Sequence, residues 1–124
     1  MRPDLRDAAC LLDMLRQARG VTRLVQGRTF EDYLADEDFR MAVERRVEII
    51  GEAARRVSAT YRDAHPEVPW RRIIAQRHIL AHEYEEIEES LLWQTATVSV
   101  PELIALLEPL VPHEPGESGD NEQA

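Results

Sequence analysis

The sequence predicts an all-α fold, an antiparallel bundle of four long helices with one short additional helix. Ala, Leu, Arg and Glu dominate the 124 residues, and β-branched and aromatic residues never alternate as they would in a strand. Apolar residues instead recur at helical spacing in four segments with short connections between them, which is typical of an up-and-down bundle. The length fits one domain, which we place at residues 1–111.

The first long helix is predicted from residue 4 to about residue 25, with Gly20 weakening its last turns. A short helix is predicted to follow and to run through Leu34. Thr29 fits its N-cap, because acidic residues come next and are favourable in a first helical turn. The apolar stripe of the long helix consists of Leu5, Ala8, Ala9, Leu12, Leu15 and Ala18.

The second long helix is predicted to begin at residues 36–38 and to run to about Tyr61. Its opposite face is rich in arginine. Pro66 and Pro69 then interrupt the pattern, because proline is not tolerated in the interior of a helix. The buried stripe of this helix is predicted to consist of Phe39, Val43, Val47, Ile50, Ala54 and Val57.

The third long helix is predicted over residues 69–84, since proline followed by Trp70 fits a first helical turn. The fourth begins near Leu91 and meets Pro101, which either kinks the helix or splits it into two. Residues 112–124 are polar and contain glycine and proline, so we predict a disordered acidic tail.

The charge of the chain is concentrated near its C-terminal end. The net charge is −9, and residues 85–124 carry ten acids and no base. This balance argues against strong nonspecific binding of nucleic acid, which depends on neutralising phosphates. A local basic site remains possible, and all 15 cationic side chains are arginines, the better bidentate phosphate ligands.

We expect a cytoplasmic protein that does not enter a membrane. No apolar run approaches the roughly 20 residues of a membrane span, and the first residues lack the apolar stretch of a secretory signal. Cys10, the single cysteine, lies in an apolar helical stretch and is predicted to be a core thiol. His65 and His113 are predicted to lie at the surface.

The segment from Arg77 to Tyr84 is the densest cluster of reactive side chains, and it also contains His78 and His82. Cleavage of RNA by a ribose 2′-hydroxyl requires a base, an acid and a cation for the charge that develops on phosphorus. Histidine and arginine suit these tasks. On an ideal helix Arg77 and His82 point about 140° apart, so they converge only if the helix ends near His82 or a second chain completes the cleft.

Each of these features also has a purely structural interpretation. An arginine and a histidine near a helix C-terminus are often a solvated charge and a partner of the helix dipole. His78 and His82 have a spacing compatible with metal ligation, but nothing else supports a metal, and we expect none. The acidic run from Glu83 to Glu89 is most simply a solvated turn and a helix N-terminus, and the alternative is a docking surface for a basic partner. Trp70 and Trp93 fit core positions better than base-stacking positions.

Several motifs in order resemble the HepT-like toxin family of the HEPN superfamily over about residues 5–111. They are IIGEAARRV at 49–57, HPEVPW at 65–70, RHILAHEY at 77–84, Trp93, and PEL at 101–103. The resemblance implies a homodimeric four-helix bundle whose R-x4-H-x-Y motif lines a cleft between subunits. It further implies a metal-independent ribonuclease without a cofactor, with RNA as its substrate.

The same resemblance implies a partner, a nucleotidyltransferase antitoxin that adds AMP to the motif tyrosine. Arg77 and His82 match the catalytic pair, and Tyr84 matches the modified residue. Family members most often carry asparagine after the motif arginine, where this chain has His78. The histidine either replaces the hydrogen bond of asparagine, transfers a proton, or leaves the site weaker.

Two other functions are compatible with the sequence. One is a noncatalytic substrate-binding subunit of a two-component nucleotidyltransferase, which would bind a nucleotide or another small molecule and would not cleave RNA. The other is a purely structural dimer, which would do neither.

Overall fold

The computed structural model describes residues 2–82 and 89–111, with the side chains of residues 77–82 outside the description. Every regular element in this part of the chain is a helix, which confirms the all-α bundle. The elements are α1 (Leu5–Val25), α2 (Phe30–Ala35), α3 (Glu37–Arg56), α4 (Ala59–Ala64), α5 (Trp70–His82), α6 (Glu89–Gln94) and α7 (Val100–Leu107), and a π-helical turn at Thr95–Ser99 joins the last two.

Short polar side chains set the starts of the first three helices. The Asp4 carboxylate caps α1 by accepting a hydrogen bond from the backbone N–H of Asp7 at 2.7 Å. Thr29 and Asp32 form a reciprocal capping box at the start of α2, which confirms the predicted N-cap. Asp36 caps α3 in the same way as Asp4 caps α1.

The centre of the bundle is the antiparallel pair of α1 and α3, which pack together more extensively than any other two helices of the described chain. Their direction follows from two contacts, since Asp7 near the start of α1 meets Ser58 just after α3, and Gln17 meets Arg46. α5 packs on α3, and α7 packs on α1. The fully buried side chains of this core include Leu11, Met14, Val21, Val43 and Leu107.

The second long helix is shorter than predicted, because α3 ends at Arg56 and a separate helix follows. Val57 is extended at the break, and the Ser58 side chain caps α4 by accepting a hydrogen bond from the N–H of Tyr61 at 3.2 Å. The Asp7 carboxylate on α1 also stabilises the chain at this break. It accepts hydrogen bonds from the N–H of Ser58 at 2.8 Å and from its hydroxyl at 2.7 Å.

Gly20 does not end or visibly weaken α1, contrary to the prediction, because it serves as a contact point between helices. The residue is buried, and a Cβ at this position would collide with the guanidinium group of Arg46. That guanidinium donates a hydrogen bond to the side-chain oxygen of Gln17 at 2.9 Å. The absence of a side chain therefore leaves room for the Arg46 guanidinium to lie against α1 at this level.

Pro101 does not end the fourth helix, because helical residues continue on both sides of it. It lies in the first turn of α7, where its missing N–H is least costly, and the irregular π-helical turn comes just before it. The side chain of Thr97 in this turn donates a hydrogen bond to the carbonyl of Trp93 at 2.8 Å.

The stretch Glu89–Leu107 corrects the expectation about apolar runs. It forms 19 residues of continuous helix, and a window of 18 residues within it has a mean hydropathy of 1.3, so it is long and apolar enough by these measures to cross a membrane. A helix in the core of a domain passes the same test, so the stretch by itself indicates no membrane location. Its side chains buried in this core are Leu92, Ala96, Val100, Leu103 and Leu107.

Several single-residue predictions have a clear outcome. Cys10 is buried, as predicted, and burial raises the pKa of its thiol. Trp70 is buried and donates a hydrogen bond from its ring nitrogen to the carbonyl of His65 at 2.9 Å, which confirms a core role. The prediction of a surface position for His65 is wrong, because its ring lies half-buried on Tyr61 with ring centres 4.3 Å apart.

The predicted third helix is seen as α5, which begins one residue later than expected. Residues 83 and 84, the last two of that prediction, lie outside the described residues. The same is true of residues 112–124, for which disorder was predicted, and of His113.

We predict that Asp7→Ala lowers the free energy of unfolding by about 2 kcal/mol, because it leaves the Ser58 N–H without its acceptor in a partly buried position. Chemical denaturation monitored by circular dichroism measures the loss. Asp13→Ala is the matched control, since Asp13 is an exposed acid on the same helix. Equal effects of the two substitutions would contradict a specific role for Asp7.

Candidate functional site

The predicted site residues lie at the C-terminal half of α5 and just beyond it. Arg77, His78 and His82 belong to a helix that is continuous to His82, so the first and last of these remain five positions apart on one helix. At about 100° per residue this spacing leaves them roughly 140° apart around the axis. Their side chains and the whole of Tyr84 lie outside the described residues. What the structure does describe is how both flanks of this segment are held.

The N-terminal flank is fixed by Gln76, the residue before Arg77. Its side-chain N–H2 donates a hydrogen bond to the hydroxyl of Thr95 at 2.9 Å. The same hydroxyl donates to the carbonyl of Leu91 at 3.0 Å, so Thr95 is used both as acceptor and as donor. This chain of hydrogen bonds joins α5 to the junction between α6 and the π-helical turn.

The C-terminal flank is fixed by Glu89, the first residue of α6. Its carboxylate lies 3.6 Å from the guanidinium of Arg40 on α3. Arg40 also donates hydrogen bonds to the carbonyls of Tyr33 and Leu34, at 3.1 and 2.8 Å, near the end of α2. One guanidinium thus connects α2, α3 and the start of α6, the first described helix after the motif.

An aromatic cluster supports this flank from within the core. Tyr33 is fully buried, and its ring centre lies 5.3 Å from that of Trp93 on α6. Phe39 on α3 meets Tyr33 edge-on at 5.9 Å, and Phe30 stacks on Tyr33 from the other end of α2 at 6.4 Å. The prediction that Trp93 is a core residue is therefore confirmed.

Two carboxylates lie close together beside Arg40. The Tyr33 hydroxyl donates a hydrogen bond to Glu44 at 3.2 Å. Burial, followed by the nearby charge of Glu89, raises the pKa of the Glu44 carboxyl. Burial together with both acids also raises the pKa of Tyr33. One oxygen of Glu89, Oε1, is buried without a hydrogen-bond partner.

Sequence reasoning missed this supporting network. Glu89 was assigned to a solvated turn and a helix N-terminus. It is the first residue of α6, which confirms the helix start, but it is half-buried and paired with Arg40. The remainder of that acidic run, residues 83–88, lies outside the described residues. The sequence did contain a signal for the network. Arg40 and Glu44 stand four positions apart on the inner side of α3, where charged residues are unusual unless they are paired. Their partner on α6 could not be read from local spacing.

Metal ligation has no support in the part of the chain that the structure describes, where no group of three or more His, Cys, Asp or Glu side chains could hold an ion. His78 and His82 have side chains outside that part.

A family model described as "Ribonuclease HepT-like" matches residues 14–110, nearly all of the helical bundle. The chain belongs to the HepT-like ribonuclease family. The match agrees with the resemblance that the motifs indicated, within the HEPN superfamily.

Three relatives illustrate the similarity. "Putative RNase MJ1380" of Methanocaldococcus jannaschii is 35% identical over 95 residues, which cover 77% of this chain and 87% of the relative. "Probable ribonuclease HepT" of Thermococcus cleftensis is 38% identical over 81 residues, or 65% and 74% of the two chains. "Putative RNase TTE0752" of Caldanaerobacter subterraneus is 34% identical over 90 residues, or 73% and 80%. No solved structure matches the chain.

We predict that Glu44→Gln makes the folded HepT-like bundle less sensitive to rising pH. The pKa of Glu44 is raised on folding, so its ionisation opposes folding as pH increases above the ordinary glutamate value. The amide keeps an oxygen for the Tyr33 hydroxyl and carries no charge beside Glu89. As pH rises from about 4.3 towards neutrality, the variant should become more stable than wild type. Below about pH 4.3, where Glu44 is protonated, the difference in the free energy of unfolding should vanish.

Denaturant titrations at a series of pH values measure this difference. Glu48→Gln serves as the control, because Glu48 lies one helical turn further along α3 and pairs with Arg45 at the surface. If the free energies of unfolding of Glu44→Gln and wild type differed by the same amount at every pH, the proposed titration of Glu44 would be contradicted.

Proposed function

We propose that this protein is the toxin of a HEPN and nucleotidyltransferase toxin–antitoxin pair, a metal-independent endoribonuclease that acts in a cleft between two identical subunits. Membership of the HepT-like ribonuclease family and the ribonuclease names of its relatives support the reaction class. The observation that carries the proposal is the Arg77 to Tyr84 segment. Its residues up to His82 belong to α5, which packs on α3, and the residues Gln76 and Glu89 on either side of it are held by contacts within the bundle.

The chemistry assigns each motif residue a task. The 2′-hydroxyl of one ribose attacks the adjacent phosphorus, and the bond to the 5′-oxygen of the next nucleotide breaks. An imidazole of His82 takes the proton of the attacking hydroxyl, and a second imidazole gives a proton to the leaving oxygen. Arg77 stabilises the charge on the phosphate oxygens in the transition state. Because no step needs a Lewis acid, the reaction can run on side chains alone.

The need for two imidazoles supports a homodimer. One chain offers a single motif histidine, and the helical path of α5 separates it from Arg77 around the axis. A two-fold axis beside this segment would bring two copies of each residue to one groove. Exposed apolar side chains are available nearby, since Leu91 is 58% and Val98 is 48% exposed on the stretch that Gln76 contacts.

Regulation is proposed to occur at Tyr84. The phenol oxygen attacks the α-phosphorus of ATP on the nucleotidyltransferase, pyrophosphate leaves, and AMP remains bound to the tyrosine. Such a group adds volume and negative charge two residues from His82. It would exclude the RNA phosphate from the cleft by both means, as phosphorylation does at other anion sites.

We predict that the purified dimer cleaves single-stranded RNA in the presence of EDTA and that His82→Ala lowers the rate by at least about 100-fold, the usual contribution of acid–base catalysis. Gel-resolved cleavage of a labelled RNA measures the rate. His113→Ala is the matched control, because it removes a histidine that belongs to the predicted tail. Unchanged cleavage by His82→Ala would exclude His82 from the mechanism.

We predict that co-expression with the cognate nucleotidyltransferase adds the mass of one adenylyl group per modified tyrosine and abolishes cleavage. Intact mass spectrometry and peptide mapping locate the group, and Tyr84→Phe should remain unmodified and active. Tyr61→Phe is the control for loss of a phenol elsewhere. An active partner that leaves Tyr84 unmodified would contradict the regulatory part of the proposal.

The same experiments address the alternative, a noncatalytic substrate-binding subunit of a two-component nucleotidyltransferase. That function predicts nucleotide binding in the cleft without RNA cleavage by the isolated chain. No feature of the described residues favours it over the ribonuclease.

A further inference from the structure

A second feature lies beside the motif, an open groove of about 750 Å³ between α4 and α5. The first residues of α5 form one wall, and α4 with the connection that follows it forms the other. Its surface combines apolar side chains with two arginines, Arg62 and Arg71, and one acid, Asp63. The apolar lining residues are Ala59, Pro66, Val68, Pro69, Trp70, Ile74 and Ala75.

The two arginines of this groove are not used within the described fold. Arg71 is exposed and makes no hydrogen bond or ion pair with another described residue. Arg62 is half-buried, and its Nε is buried without a hydrogen-bond partner. By contrast, Arg40 and Arg46 on the neighbouring α3 are both committed to contacts within the bundle. The groove therefore offers two guanidinium groups to a ligand in a protein whose net charge is −9.

The groove also lies in line with the proposed active site. α5 is helical from Trp70 to His82, so positions four, seven and eleven residues after Arg71 return to nearly the same side of the helix. These positions are Ala75, which lines the groove, then His78 and His82. At 1.5 Å per residue, Arg71 and His82 are separated by about 16 Å along the axis. In an unstacked single strand the phosphates lie roughly 6 Å apart, almost twice the axial spacing of duplex DNA, so this distance spans about three nucleotides.

We propose that the groove between α4 and α5 binds the single strand of RNA that flanks the cleavage position, with Arg71 and Arg62 contacting its phosphates. The proposal rests on the ribonuclease function proposed above. Charge complementarity selects a polyanion, and the apolar surface beside the arginines suits unpaired bases, which bury their faces against protein. Arg71 and Arg62 would set the position and length of the bound strand and take no part in the reaction itself.

The test measures binding of two labelled single-stranded RNAs to the catalytically silent His82→Ala protein. One RNA has about 12 nucleotides, and the other is a dinucleotide, too short to reach from the motif to Arg71. Arg71→Gln should weaken binding of the long RNA by roughly five- to tenfold at about 50 mM salt, and should leave the short RNA unaffected. The slope of log affinity against log salt should fall by about 0.7, the value for one phosphate contact to a single strand.

Arg55→Gln is the matched control, since it removes the same charge from an exposed position on α3 outside the groove. Equal weakening by Arg55→Gln and Arg71→Gln would overturn the proposal in favour of general electrostatic attraction. Arg62→Gln is a second groove variant, and combining it with Arg71→Gln should weaken binding of the long RNA further. Thermal denaturation checks that both variants fold.

Two further outcomes separate the groove from the ribonuclease proposal. If wild type cleaves RNA normally and Arg71→Gln binds the long RNA as well as wild type does, only the groove proposal is rejected. Absence of any RNA binding or cleavage by wild type would reject both. If Arg71→Gln instead lowers the dimer fraction in sedimentation experiments, the groove is a protein interface and the proposal is overturned.

Discussion

The packing of α5 on α3 is the contact on which the arrangement of this molecule depends. It keeps α5 helical through His82, which fixes the spacing of the motif residues along and around the helix axis. On a single copy of this helix, Arg77 and His82 stand five positions apart and face different sides of the axis. In the proposed ribonuclease one subunit would therefore hold an incomplete active site, and this is why the proposal requires two.

The polar contacts around the motif follow from this constraint. In the proposal, the segment from Arg77 to Tyr84 has to be positioned accurately, and the bundle provides one anchor on each side of it. Gln76 joins α5 to the π-helical turn through Thr95, and Arg40 holds Glu89 at the start of α6. As a consequence, two acidic side chains, Glu44 and Glu89, lie near Arg40. The pKa of Glu44 is raised by burial and by the neighbouring charge of Glu89. Supporting residues of this kind are expected behind a preorganised site.

Much of the fold follows from sequence, whereas the support of the site does not. Apolar periodicity predicted the helices, and Thr29 marked a helix start because capping is a local interaction. The break after Arg56 was missed because it depends on Asp7, a residue 51 positions before Ser58. Arg40 and Glu89 were missed for the same reason, since local spacing carries no information about partners that only folding brings together. The segment from Arg77 to Tyr84 stood out in the sequence as a cluster of reactive side chains, whereas the role proposed for each residue came from the resemblance to the family.

The most direct measurement is the cleavage rate per chain at decreasing protein concentration, with the dimer fraction followed in parallel by sedimentation. If two copies of α5 form the cleft, the rate per chain should fall in proportion to the dimer fraction and recover when the protein is concentrated again. A rate per chain that stays constant where the protein is monomeric would contradict the shared site.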